Sequence, residues 1–94
     1  MMRVGAIRAS LLLHGARSLK EKRGPLKRII AHLQQTYHVS VSEVDNQDLH
    51  QRSTLGIAVV ASDGQSLHER LNVISEAIEC NSDFQVLEII KTVY

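Results

Sequence analysis

The hydrophobic period of this chain switches in a fixed order, and that order restricts the folds open to it. Apolar residues alternate through 3–13, where Ile7, Ala9, Leu11 and Leu13 share one face. The spacing then lengthens to three or four, and Leu19, Leu26, Ile29, Ile30, Leu33 and Tyr37 form one helical stripe. Alternation returns over 38–44, and 54–61, the most continuously apolar run, reads as a further strand. Leu67, Leu71, Ile74 and Ile78 mark a second helix, and 84–93 reads as a last strand. The order βαββαβ is that of the split βαβ motif. It predicts an α+β, ferredoxin-like sandwich in a single domain spanning 1–94, with a four-stranded antiparallel sheet and both helices on one face. The first and third strands, being most apolar, are expected at the centre. The opposite sheet face should carry Arg8, Ser10, Leu12, Gly56, Ala58 and Val60, a small-residued surface left open for contact.

Local signals place the helix starts. Ser18-Leu19-Lys20-Glu21 and Ser66-Leu67-His68-Glu69 both match a capping box, in which a serine oxygen accepts a backbone N–H and the glutamate reaches back. Gly24-Pro25 interrupts the first stripe, because an interior proline removes a helical hydrogen bond and costs about 3 kcal/mol. Two readings follow: one kinked helix over 18–36, or a short turn at 18–23 followed by a helix that starts on Pro25. The stripe shared by Leu19 and Leu26 favours one direction with a kink.

The formal net charge is only +1, yet six of the eleven bases lie between Arg17 and Arg28: Arg17, Lys20, Lys22, Arg23, Lys27 and Arg28, with Glu21 the one acid among them. Residues 69–88 hold Glu69, Glu76, Glu79, Asp83 and Glu88 against Arg70. Such asymmetry points to an anionic partner for the basic segment, or to pairing between copies. At about 100° per residue, Arg17, Lys20, Lys27 and Arg28 project away from the apolar stripe, where with the helix N-terminus they form an anion-site candidate. Exposed charge is also what any solvated helix face carries. Lys22 falls inside the stripe, so its ammonium is expected to meet Glu43, Asp45 or Asp48. A second polar concentration, Asn46, Gln47, Asp48, His50, Gln51 and Arg52, reads as a ligand-contacting loop or as a turn whose side chains cap its own backbone.

Other chemistries find less support. His14, His32, His38, His50 and His68 lack metal-ligand spacing, no phosphate-cradling glycine motif occurs, and no cofactor is expected. Cys80 is the only cysteine, which leaves it without a disulfide partner in the chain and without the setting of a catalytic thiol. Neither a signal-peptide pattern nor a membrane-spanning apolar run is present, and a cytoplasmic location is expected. Tyr37, Phe84 and Tyr94 are the only aromatics besides histidine, and none lies in a central strand, so base stacking on the sheet is not expected.

Three segments taken together, Gly15-Ala16-Arg17-Ser18-Leu19-Lys20-Glu21-Lys22-Arg23, Val39-Ser40-Val41-Ser42-Glu43-Val44 and Gln47-Asp48-Leu49-His50-Gln51-Arg52, followed by Leu55-Gly56, resemble the YlxP-like family of small bacterial proteins of unknown function. The resemblance covers nearly the whole chain. It implies a ferredoxin-like fold and a bacterial cytoplasmic source. The family's genes tend to lie beside translation-initiation and ribosome-maturation genes, which implies an RNA or ribosome role by association. Gly24-Pro25 and His50 depart from the family pattern, which usually continues the helix at the first place and carries an aromatic residue at the second.

The leading functional expectation is a non-enzymatic accessory protein that contacts RNA or a ribosomal surface through Arg17, Lys20, Lys22, Arg23, Lys27 and Arg28, helped by Gln51 and Arg52. The alternative is a self-associating module, a homo-oligomer through the open sheet face or through the basic helix of one copy and the acidic 69–88 region of another. A third reading, an acyl-phosphate hydrolase, rests on His14-Gly15-Ala16-Arg17 before a helix with Asn46 as a distant amide.

Overall fold

The computed structural model describes Met1–Tyr94. Its elements are β1 (Arg3–Leu12), α1 (Leu19–Tyr37), β2 (Ser40–Asp45), β3 (Arg52–Ala61), α2 (Gly64–Glu79) and β4 (Gln85–Val93). The antiparallel sheet has the order β2-β3-β1-β4, which puts the two most apolar strands at its centre as their composition requires. Inward side chains alternate along β1 (Ile7, Ala9, Leu11) and β3 (Leu55, Ile57, Val59), and all are buried. Ile29 and Leu33 of α1, and Leu67, Leu71, Ile74 and Ile78 of α2, close over that face. Gly5 makes the close approach of α2 to β1 possible: a Cβ there would lie 3.2 Å from the Cδ1 atoms of both Leu67 and Leu71.

α1 is one helix that runs through Gly24 and Pro25, so the two-segment reading falls away. The proline removes one hydrogen bond, and the packing of Ile29 and Leu33 against the sheet offsets that loss. Leu19 departs from expectation. It is 45% exposed, so the buried stripe begins with Lys22 and not with Leu19. At its C-terminus, α1 is capped by His38 in the left-handed region (φ 54°), whose N–H donates to the Gln34 carbonyl. Arg70 of α2 donates to the carbonyls of Tyr37 and Val60, tying the end of α1 to the end of β3.

The second helix corrects the capping assignment. Asp63, not Ser66, is its N-cap: Asp63 Oδ1 accepts the Ser66 N–H at 2.8 Å, and Asp63 Oδ2 accepts the Ser66 hydroxyl at 3.2 Å. A carboxylate outcompetes a hydroxyl here because it accepts both bonds and faces the positive end of the helix dipole. The backbone and side-chain bonds from Ser66 hold the Asp63 carboxyl below its ordinary value of 3.8. A depressed carboxyl contributes stability above its unfolded value, and that contribution is lost as pH falls through the folded value. Asp63→Asn, which still caps but does not titrate, should therefore flatten the acid side of the stability profile. Urea midpoints measured from pH 5 downward check this; a profile identical to that of the unmodified chain would contradict it.

Candidate functional site

Lys22 sits where helical spacing forces a charge into the buried stripe. Its side chain is 3% exposed. The ammonium has three donors and finds three acceptors: Glu43 Oε2 at 2.7 Å, the Leu49 carbonyl at 2.8 Å and the Asn46 carbonyl at 3.0 Å. Ser53 adds a hydroxyl donor to the same carboxylate oxygen at 2.7 Å. Lys22 thus pins α1 to β2 and to the β2–β3 loop. It is removed from the anion-contact set, since a buried ammonium with every proton committed cannot meet an external phosphate.

The remaining bases divide by partner. Arg28 approaches Asp83 at 3.5 Å, a pairing between the basic and acidic regions made inside one chain. Arg17, Lys20, Arg23 and Lys27 are exposed and make no ion pair. Lys20, Arg23 and Lys27 fall at i, i+3 and i+7, so they line one strip of α1. The N-terminus of α1 is partly capped within the chain. Ser18 Oγ accepts the Glu21 N–H at 3.1 Å, and Glu21 Oε1 accepts the Arg17 N–H at 2.8 Å. The depression beside them is lined by Glu21 and Asp83, which repel anions. With these two acids beside the helix N-terminus, the side-chain strip is the stronger anion-site candidate.

The polar loop is divided by the fold. Asn46 takes a left-handed backbone (φ 62°), and its amide nitrogen donates to Thr54 Oγ1 at 2.8 Å, so it serves the loop's own structure. Gln47 and Arg23 line one narrow groove between α1 and β2, with Leu19, Leu26 and Glu43. The Gln51 carbonyl accepts the Leu13 N–H at 2.8 Å, which seats the loop beside the entry to α1. Asp48 and His50 are exposed at the loop's tip. Arg52 is paired with Leu12 in the sheet register, on the face away from the helices, so it does not join the α1 strip. Two features of the hydrolase reading are engaged within the chain: His14 Nε2 bonds Gln85 Oε1 at 2.6 Å, and the Asn46 side-chain amide donates to Thr54 Oγ1.

On the outer sheet face, Ala6, Ala58, Val44, Ile90 and Tyr94 border a shallow groove of about 400 Å³. Val44 lies across the position a side chain at Gly56 would fill, 2.8 Å from an ideal Cβ. Arg8 and Asp45 pair at its margin at 3.2 Å. Cys80 is free and exposed, and no helix is long and apolar enough to cross a membrane.

Fold and surface together define a small ferredoxin-like α+β domain distinguished by a cationic helix strip held on a buried Lys22 clamp. The chain belongs to the family described as "Protein of unknown function (DUF503)", whose profile matches residues 4–90. It is similar to the "Uncharacterized protein YlxP" of Bacillus subtilis (strain 168), 42% identical over 53 residues, a match spanning 56% of this chain and 58% of that protein. Among solved structures, the "De novo designed protein Foldit4" aligns over 98% of this chain and 97% of its own at a TM-score of 0.50 and 16% identity, a likeness of fold alone.

Proposed function

We propose that this protein is a non-enzymatic accessory factor that contacts the phosphate backbone of structured RNA, with ribosomal RNA the partner implied by the family resemblance. One observation carries the reading. Lys20, Arg23 and Lys27 stand exposed and unpaired along one strip of α1, while the adjacent Lys22 and Arg28 are matched to acids of the same chain. Evenly spaced cations on a rigid helix suit repeated phosphates, and contact of this kind is sequence-tolerant and strongly salt-dependent. The outer sheet face presents Ala6, Ala58, Val44 and Ile90 and offers no aromatic platform on its central strands.

The test is binding of ribosomal RNA, followed by fluorescence anisotropy from low to moderate salt. Changing Lys20, Arg23 and Lys27 together to Glu should abolish measurable binding at physiological salt. Changing them to Gln should lower the slope of log affinity against log salt by about 2 to 3, as three lost phosphate contacts require. Binding unaffected by the triple Glu variant overturns the reading.

A further inference from the structure

The two edges of the sheet are not alike. β2 is short, Ser40–Asp45, has a register irregularity between Glu43 and Asp45, carries those two acids, and has α1 packed along it. Each of these features blunts an edge against pairing with another chain. β4 is the longer edge, Gln85–Val93, and its sequence Gln-Val-Leu-Glu-Ile-Ile-Lys-Thr-Val contains neither proline nor glycine. Leu87, Ile90 and Val93 are 42%, 44% and 39% exposed along it. Its only base is drawn away from the edge: Lys91 Nζ donates to Asn72 Oδ1 of α2 at 2.9 Å.

The direction of the free backbone groups follows from one bond. The Tyr94 N–H donates to the Val4 carbonyl at 2.9 Å, so Tyr94, Thr92 and Ile90 direct their backbone groups toward β1. Ile89, Lys91 and Val93 direct theirs outward, where nothing in the chain meets them. We propose that a second copy of this chain occupies this edge, β4 pairing antiparallel with β4 about a two-fold axis at Ile90, to join two four-stranded sheets into one of eight.

The register is set by which residues carry the free groups. Centred on Ile90, Ile89 of each copy faces Lys91 of the other, so outward N–H and C=O groups are exchanged on both sides of the axis. Ile90 then faces Ile90 in the non-hydrogen-bonded position, where side chains lie closest. Glu88 faces Thr92, and Leu87 comes beside Val93, so no like charges are opposed. Centring on Lys91 would oppose two ammonium groups. Centring on Ile89 would run the pairing into the irregular stretch near Leu87, where the β1–β4 register shifts, and would shorten it. The strand is thus complementary to itself at one register, which favours a second copy over an unrelated peptide. The two-fold places all four helices on one side of the joined sheet and leaves the α1 strips, which lie toward the β2 edges, free at its two ends.

Sedimentation velocity from low to high micromolar concentration tests this on the full chain. The unmodified protein should sediment as a dimer at the upper end. Ile90→Lys and Ile90→Glu should each sediment as folded monomers, since the side chain is half exposed in the single chain and only its mate is opposed; circular dichroism verifies the fold. An equimolar mixture of the two variants should recover the dimer at low salt, because lysine then faces glutamate. An unmodified chain that stays monomeric at high micromolar concentration, or a dimer that survives either substitution, overturns the proposal. Failure of the mixture to recover the dimer overturns the Ile90-centred register.

Discussion

Lys22→Ala is expected to cost about 3–5 kcal/mol of folding stability, the range for removing one partner of a buried, hydrogen-bonded ion pair. The loss has three parts. The Glu43 carboxylate, 17% exposed, is left with Ser53 as its remaining donor. The Leu49 carbonyl loses its donor from Lys22, and the Asn46 carbonyl is left with the Leu49 N–H alone. The aliphatic stem of the lysine no longer fills the space between α1 and β2. In a chain of 94 residues such a loss lowers Tm by more than about 10 °C. A double-mutant cycle with Glu43→Leu separates the pair from the packing: the double variant should lose less than the sum of the singles, because the stranded carboxylate has gone. Urea unfolding with an unchanged m-value is the measurement. A Lys22→Ala chain within 1 kcal/mol of the unmodified protein would show that the clamp does not hold α1, and the contact network would need another role.

The second large effect lies on the same helix. Leu33 is fully buried, and Leu33→Ala is expected to cost about 2–5 kcal/mol through lost transfer energy and the cavity left behind. Leu19→Ala should stay within about 0.5 kcal/mol, as surface substitutions do. Both leucines belong to one apolar stripe by spacing, so the contrast measures what the fold adds to the pattern. Equal costs at the two positions would contradict the placement of Leu19 outside the core.

Much of the architecture is legible in the sequence because each element writes its own period. The alternation of Ile7, Ala9 and Leu11 and the spacing of Leu67, Leu71, Ile74 and Ile78 are enforced by burial on one face, and burial is what the period records. Lys22 is legible for the same reason: a charge in the stripe must turn inward, and Glu43 was among the few acids placed to meet it. Features that depend on competition between neighbours are less legible. Asp63 and Ser66 both make good caps, and Asp63 wins because its carboxylate accepts both the N–H and the hydroxyl of Ser66. Asn46 looks like a binding residue until Thr54 is seen to take its amide. Arg28 looks unpaired until the α2–β4 connection brings Asp83 beside it, and Arg52 looks like a helper of the basic helix until the sheet register puts it on the other face. The last three depend on a partner brought close by the fold or on strand register, and the first on which of two local caps the backbone engages, none of which composition and spacing encode.

On the proposed function, an anionic partner docks on the α1 strip, and not on the open sheet face or the loop tip. The most direct measurement is an NMR titration of the isotopically labelled protein with a short structured ribosomal RNA fragment. Progressive amide shifts are expected on α1 around Lys20, Arg23 and Lys27, with smaller shifts at Gln47, and little change at Ala58, Ile90 and Thr92 on the sheet. Shifts concentrated on the sheet face with α1 unmoved, or none at low salt and saturating RNA, would contradict it.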